Sequence, residues 1–340
     1  MATEYDVAVV GATGVVGEAF LEILAERQFP IKTLYALASE KSAGSTVLFG
    51  GKKIKVELLD DFDFEKVHYA FFSAGAKVSA IYAPKAAEAG CVVIDNSSQF
   101  RYDPDIPLVV PEVNPQALAN YHERNIIANP NCSTIQLVVA LKPIYDAVGI
   151  TRINVATYQA VAGAGREAIE ELASQTADLL NGSEAEIEVL PMQIAFNVIP
   201  QIDAFQDNGY TREEMKLHWE TQKIFNDPNI AVNATAVRVP VFFGHSEAVH
   251  LETHQPITVD EVLQLLRDAK GVELYSHEDY PTAVTDAASE DKVFVGRVRQ
   301  DLSHPNGINL WVVADNVRKG AALNAVQIAE LLIQDSFYLQ

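Results

Sequence analysis

The candidate chemistry of this chain centres on Cys132, in the run Ala128-Asn129-Pro130-Asn131-Cys132-Ser133-Thr134. Proline fixes its own φ and drives the preceding residue out of the helical region, so Asn129-Pro130 reads as a turn. The apolar stretch from Thr134 to Leu141 predicts a buried helix, with Asn131 as N-cap and Cys132 in or beside the first turn. Unpaired N–H groups and the helix dipole favour negative charge there, which lowers a thiol's pKa and makes the thiolate a nucleophile. Taken alone, such a cysteine is as readily an inert buried residue, which is how Cys91, in an apolar run, is read. A thiolate can attack an aldehyde to give a hemithioacetal, or an acyl phosphate to give a thioester. The oxygen of either adduct needs a proton donor or acceptor near neutral pH, the natural work of histidine. Of eight histidines, His245 is the candidate, because it follows Phe242-Phe243-Gly244 at what reads as the exit of a strand. Arginine suits a bidentate anion clamp and lysine a phosphate oxygen, although Arg238, Arg101 or Lys216 taken singly is more commonly a surface charge.

These groups need elements to hold them. Tyr5–Val10 is a β-rich run that ends in Gly11-Ala12-Thr13-Gly14-Val15-Val16-Gly17, and Glu18–Arg27 follows with apolar residues at helical spacing. Strand, glycine turn and helix in that order bring a backbone close to a pyrophosphate at a helix N-terminus. The cofactor this indicates is a nicotinamide dinucleotide, whose hydride exchange would connect the hemithioacetal with the thioester. A second strand, Thr33–Ala38, ends in Ser39-Glu40-Lys41-Ser42. Ser39 stands where an acidic ribose ligand is expected, and Lys41 and Ser42 beside it suit a 2′-phosphate, although Glu40 leaves the other cofactor open. Further strands are expected at Lys53–Leu58, Tyr69–Phe72 and Cys91–Asp95, with a helix over Ala76–Ala89. Phe72-Ser73-Ala74-Gly75 is a second small-residue turn suited to close approach of the cofactor. Alternating strands and helices predict a doubly wound parallel sheet. After the Cys132 helix come strands at Ile150–Tyr158 and Ala231–Val241, a long run Phe294–Ala314, and helices at Arg166–Leu180, Arg212–Phe225 and Val259–Asp268. They predict a second, α+β domain with a more antiparallel sheet. A last helix, Ala321–Ile333, is expected to return to the first domain. The boundaries are then 1–131 with 320–340 for the dinucleotide-binding domain, and 132–319 for the catalytic, substrate-binding and dimerisation domain.

The 340 residues exceed the range of one core. A net charge of −21 disfavours nucleic acid and anionic membrane surfaces as partners. With 46 acidic against 25 basic residues, an anionic substrate must meet a local cluster of Arg and Lys. Two cysteines make no disulfide framework. No signal peptide or apolar span is evident, and no metal-ligand set is expected, so a reducing cytoplasm fits.

The glycine turn, Asn129–Thr134, Thr157-Tyr158-Gln159-Ala160-Val161, Arg238 with Gly244-His245-Ser246-Glu247-Ala248, and Asp315-Asn316-Val317-Arg318-Lys319-Gly320-Ala321-Ala322 together resemble the aspartate-β-semialdehyde dehydrogenase family, in order and over essentially the whole chain. The resemblance implies NADP-linked, reversible conversion of L-aspartyl-4-phosphate to aspartate semialdehyde and phosphate, on the pathway to lysine, threonine, methionine and diaminopimelate, by a homodimer or homotetramer. It implies Cys132 as nucleophile, His245 as acid/base and Gln159 as the residue orienting the acyl intermediate. Arg238 would clamp the substrate carboxylate, Glu213 and Lys216 would contact the amino group and the phosphate site, and Arg101 and Asn131 would complete that site. Cofactor contacts would come from Gly11, Thr13, Gly14, Val15, Val16, Gly17, Ser39, Lys41, Ser42, Ser73, Gly75 and Asn316. Lys41, Ala162 and Gln201 depart from the family's common arginine, serine and histidine. The alternatives are an N-acetylglutamyl-phosphate type of reductase, disfavoured by Glu213 as a partner for a free ammonium, and a non-catalytic paralogue.

Overall fold

A computed structural model describes residues 3–276 and 278–338 of the chain. It divides into two compact units, Met1–Asn131 with Ala321–Gln340, and Cys132–Gly320, so that Gly320 falls in the second unit.

The first unit is built on β1 (Tyr5–Val10), α1 (Val15–Glu26), β2 (Ile31–Ala38), β3 (Thr46–Phe49), β4 (Lys52–Leu58), β5 (Tyr69–Phe72), α2 (Ala76–Glu88), β6 (Val92–Asp95) and β7 (Ile126–Ala128). They form a seven-stranded sheet in the order β3-β4-β2-β1-β5-β6-β7. Every neighbouring pair is parallel except β3 and β4, whose hairpin the sequence pattern did not reveal. The strand order reverses at β1, so the loops leaving β1 and β5 diverge at the crevice where such sheets bind ligands. Val7 to Val10 are wholly buried, and Phe20 of α1 meets Phe71 of β5 with ring centroids 5.0 Å apart. Those apolar contacts fix α1, and hence the glycine turn, on the sheet.

The second unit contains α3 (Cys132–Val148), β8 (Ile150–Gln159), α4 (Arg166–Leu180), α5 (Arg212–Phe225), β9 (Ala231–Arg238), β10 (His245–Thr253), α6 (Val259–Arg267), β11 (Val272–Leu274), β12 (Val293–Gln300) and β13 (Gly307–Ala314). Its six-stranded sheet runs β11-β12-β13-β10-β8-β9. The centre is antiparallel, while β8 with β9 and β11 with β12 are parallel. Helix α3 packs on β8, β10, β12 and β13, and α5 on β9. The expected strand Ala231–Val241 ends at Arg238, because Pro240 has no N–H to continue a ladder. The run Phe294–Ala314 is a hairpin of β12 and β13. His245 begins a strand rather than following the exit of one.

The terminal helix α7 (Leu323–Tyr338) belongs to the first unit and packs on α1. There Arg27 grips Glu330 through two bonds of 2.7 Å each.

Candidate active site

Cys132 is the first residue of α3 and is half-buried, at the helix end whose dipole favours a negative charge. Gly320 lies directly against it, and a Cβ at Gly320 would come 2.9 Å from the Cβ of Cys132. Cys91, in contrast, is fully buried, and burial pushes its thiol up to about 12.

The remaining groups converge at strand ends of the same unit. Gln159 closes β8 and Arg238 closes β9, paired in parallel register. His245 opens β10, beside β8. Gly244, at φ +89°, makes the turn that aims His245, and its N–H donates to Asn316 Oδ1 at 2.9 Å. The imidazole is fully buried, and its Nδ1 accepts from the Ala160 N–H at 3.0 Å. The neutral ring therefore carries its proton on Nε2, a tautomer assigned from the hydrogen-bond network. Burial first, then the Arg238 guanidinium, pushes His245 down to about 3, so the ring is neutral at physiological pH.

The amide of Gln159 is oriented from both sides. The Thr157 hydroxyl donates to Oε1 at 3.0 Å, and Nε2 donates to Glu213 Oε1 at 3.1 Å. Glu213 in turn receives Lys216 Nζ at 2.8 Å, and Lys216 reaches Asp203 at 3.1 Å. Thr211 positions Glu213 by capping α5 with a capping box that includes Glu214. Arg238 is buried, and its Nη1 donates to the Ala160 carbonyl at 2.8 Å. Gly163 lets its loop pass close to two of these groups. A Cβ there would stand 3.1 Å from Arg238 Nη1 and 3.4 Å from His245 Nε2.

In the first unit the glycines of the β1–α1 turn divide by role. A Cβ at Gly11 would meet Ser73 O at 2.8 Å and one at Gly17 would meet Gly11 O at 2.0 Å, so backbone packing demands both. Gly14, the N-cap of α1, has only Gly11 O at 3.4 Å, and Gly75, at φ +85° before α2, has open space. The N-termini of α1 and α2 thus follow directly on the ends of β1 and β5, the kind of turn that binds anions in such sheets. Ser39 and Lys41 are exposed in the turn after β2, where the Ser42 N–H donates to the Ser39 carbonyl. Arg101 is buried in this unit, with Nη2 on the Asn96 carbonyl at 2.9 Å. Asn129 ties the same loop to Asn324 through Asn96 Oδ1 and its own Oδ1, at 2.7 Å each.

Residues 6–121 match the family described as "Semialdehyde dehydrogenase, NAD binding domain", and residues 141–319 match "Semialdehyde dehydrogenase, dimerisation domain". The aspartate-semialdehyde dehydrogenase of Shewanella violacea is 64% identical over 338 residues, covering 99% of this chain and all of the relative. The chain belongs to the aspartate-semialdehyde dehydrogenase family. The crystal structure of aspartate semialdehyde dehydrogenase II from Vibrio cholerae, complexed with ASA, superposes with a TM-score of 0.97 at 64% identity, over 98% of this chain and 99% of that one. The Candida albicans aspartate semialdehyde dehydrogenase with NADP matches at a TM-score of 0.75 and 25% identity, over 97% and 98% of the two chains. A member of this dehydrogenase family is an oxidoreductase. Among the described residues, no helix is long and apolar enough to cross a membrane.

Within this family member, Cys132, Gln159, Glu213, Lys216, Arg238, His245 and Asn316 lie in the second unit, and Arg101, Asn131 and the glycine-turn residues in the first. Sequence reasoning overlooked Gly163, Gly320, Asp203 and the backbone of Ala160. The Gly163-Ala164-Gly165 cluster was a legible signal for the first of these, since small residues in a loop mark close approach. Ala160 acts only through its main chain and carries no sequence signal.

Proposed function

We propose that this chain is an NADP-dependent aspartate-semialdehyde dehydrogenase that interconverts L-aspartyl-4-phosphate with aspartate semialdehyde and phosphate through a thioester on Cys132. The observation that carries this reading is the convergence of Arg238 Nη1 and His245 Nε2 beside Gly163, with the oriented amide of Gln159 next to them. Cys132 at the N-terminus of α3 is the nucleophile toward the substrate carbonyl carbon. The carbonyl oxygen then becomes an oxyanion, and the Nε2–H of neutral His245 and the free N–H of Gln159 are the donors suited to receive it. His245 exchanges a proton at Nε2, while its Nδ1 stays on the Ala160 N–H. Arg238, whose Nη1 is fixed on the Ala160 carbonyl, presents the rest of its fork to the α-carboxylate. Glu213 faces the ammonium group, and Lys216 with Arg101 and Asn131 receives the phosphate, Lys216 exchanging Asp203 for it.

The residues present fit the cofactor. The Gly11–Gly17 turn with Thr13, Val15 and Val16 would hold the pyrophosphate, Ser39, Lys41 and Ser42 the 2′-phosphate, and Ser73, Gly75 and Asn316 the nicotinamide side. When bound, the nicotinamide supplies or accepts the hydride. The family description of residues 141–319 supports a homodimer or larger homo-oligomer. The substrate places the enzyme on the aspartate-derived route to lysine, threonine, methionine and diaminopimelate, in the cytoplasm.

The test is the rate of NADPH formation from aspartate semialdehyde, phosphate and NADP. The expected result is turnover that needs all three and is absent with N-acetylglutamate semialdehyde. Equal turnover of the acetylated analogue, or none with either, contradicts the assignment.

A further inference from the structure

Glu247 is a wholly buried acid that the chemistry above does not use. It stands two residues beyond His245 on β10, so both side chains leave the same face of the strand. Gln136 stands four residues beyond Cys132 on α3, which packs on β10, so it stacks one turn behind the nucleophile. Its Nε2 contacts the His245 carbonyl at 3.4 Å, and it is the side chain that bears on the Glu247 carboxyl. The pair Gln136 and Glu247 therefore backs the pair Cys132 and His245 along the same helix–strand seam.

The polar accounting of that seam is incomplete in one specific way. Glu247 Oε1, Glu247 Oε2 and Gln136 Oε1 are all buried, and no hydrogen bond of normal geometry closes on any of them. If Glu247 is ionised, all three oxygens are acceptors and none can satisfy another; the Gln136 amide favours the charged form but does not offset its burial. An unpaired carboxylate at full burial is also strongly disfavoured. Desolvation accordingly holds this carboxyl well above the usual carboxylate range. A single proton removes the charge and pairs two of the three oxygens, because it turns one carboxyl oxygen into a donor for which Gln136 Oε1 is an acceptor.

We propose that Glu247, as a neutral carboxylic acid linked through Gln136, is a positioning residue that holds the helix of the nucleophile in register with the strand of His245. The inference rests on Cys132 and His245 being the reacting pair. A neutral acid also leaves a thiolate at Cys132 unopposed, whereas a carboxylate behind it would disfavour that charge.

The experiment compares the full-length protein with E247Q and E247L. Isotope-shifted infrared spectra of the wild type should contain a protonated-carboxyl band that E247Q lacks. E247L should lower kcat about tenfold or more, as small displacements of reacting groups do, with KM for aspartate semialdehyde within about twofold and slower iodoacetamide modification of Cys132. E247Q, which keeps the shape and a donor, should restore most of kcat and the modification rate. Should E247L not fold, Q136L severs the same link from the helix and should show the same split. The proposal is overturned by absence of the band, or by wild-type kcat and modification rate in the leucine variant. If the wild type itself does not turn over aspartate semialdehyde, the functional reading fails, while the infrared band and the Cys132 modification rate still judge Glu247.

Discussion

The Nε2 atoms of His245 and Gln159 stand 3.4 Å apart, and the surrounding hydrogen bonds assign a proton to each. Nδ1 of His245 is committed to the Ala160 N–H, and Oε1 of Gln159 to the Thr157 hydroxyl, which leaves N–H groups on the facing nitrogens. Two donors held side by side are matched to one oxygen that gains negative charge during reaction. His245→Gln should therefore lower kcat by about 10²–10⁴-fold while the protein still folds. Steady-state kinetics with aspartate semialdehyde check this, and near-normal kcat would remove His245 from the chemistry.

The same burial has a stability signature. The imidazole titrates near 6.5 when unfolded and at about 3 when folded. Between those values the unfolded chain binds more protons, so stability falls as pH falls. The advantage of wild type over His245→Gln should shrink by roughly 1.4 kcal/mol per pH unit below 6.5. Denaturant unfolding across that window measures it, and a pH-independent difference would mean that His245 is not held neutral.

Arg238→Lys keeps a charge but loses the fork that grips the Ala160 carbonyl while presenting further N–H groups. A cost of roughly 2–4 kcal/mol in kcat/KM for aspartate semialdehyde is expected for a broken buried charge pair. Lys216→Ala, at a residue held by Glu213 and Asp203, should instead raise KM for phosphate. The two substitutions should thus separate by substrate, and a silent Arg238→Lys would displace the carboxylate from this site.

Gly163→Ala and Gly17→Ala should fail in different ways. The first adds a methyl 3.1 Å from Arg238 Nη1 and should cut kcat/KM about tenfold or more with little change in Tm. The second drives a methyl to 2.0 Å from the Gly11 carbonyl oxygen and should lower Tm outright. Thermal melts beside kinetics distinguish them.

Much of this was legible in the chain, and the omissions have physical causes. β1 and β5 were readable to the residue, because short apolar runs bounded by turn residues define buried strands. β10 was not, because its inward face opens with His245 and Glu247, which break the apolar alternation that marks a strand. The functional groups therefore obscured the element that carries them. β9 was drawn too long because Val239 and Val241 continue its composition beyond Pro240. Among the candidate site groups, Cys132 was readable from its type and context and Gln159 and Arg238 from the family resemblance, whereas the Ala160 main chain and the close approach at Gly163 exist only once strands are side by side.

In the reading proposed above, Ser39, Lys41 and Ser42 carry the preference for NADP in the turn after β2, where Ser39 and Lys41 are exposed. Ser39→Asp should erode or reverse the ratio of kcat/KM for NADP over NAD by repelling the 2′-phosphate, with kcat little changed. Comparable efficiency of the unmodified protein with both cofactors would refute the assignment of this turn.

If Cys132 carries the acyl group, withholding phosphate should trap it there. With aspartate semialdehyde and NADP alone, the thioester has no phosphate to leave with. The expected result is a burst of NADPH stoichiometric with chains and an aspartyl adduct that peptide mass spectrometry maps to Cys132. Cys91, buried and with its thiol at about 12, should stay unmodified, and Cys132→Ser should abolish burst and adduct together. A burst that persists in Cys132→Ser, or an adduct on any other residue, would contradict it.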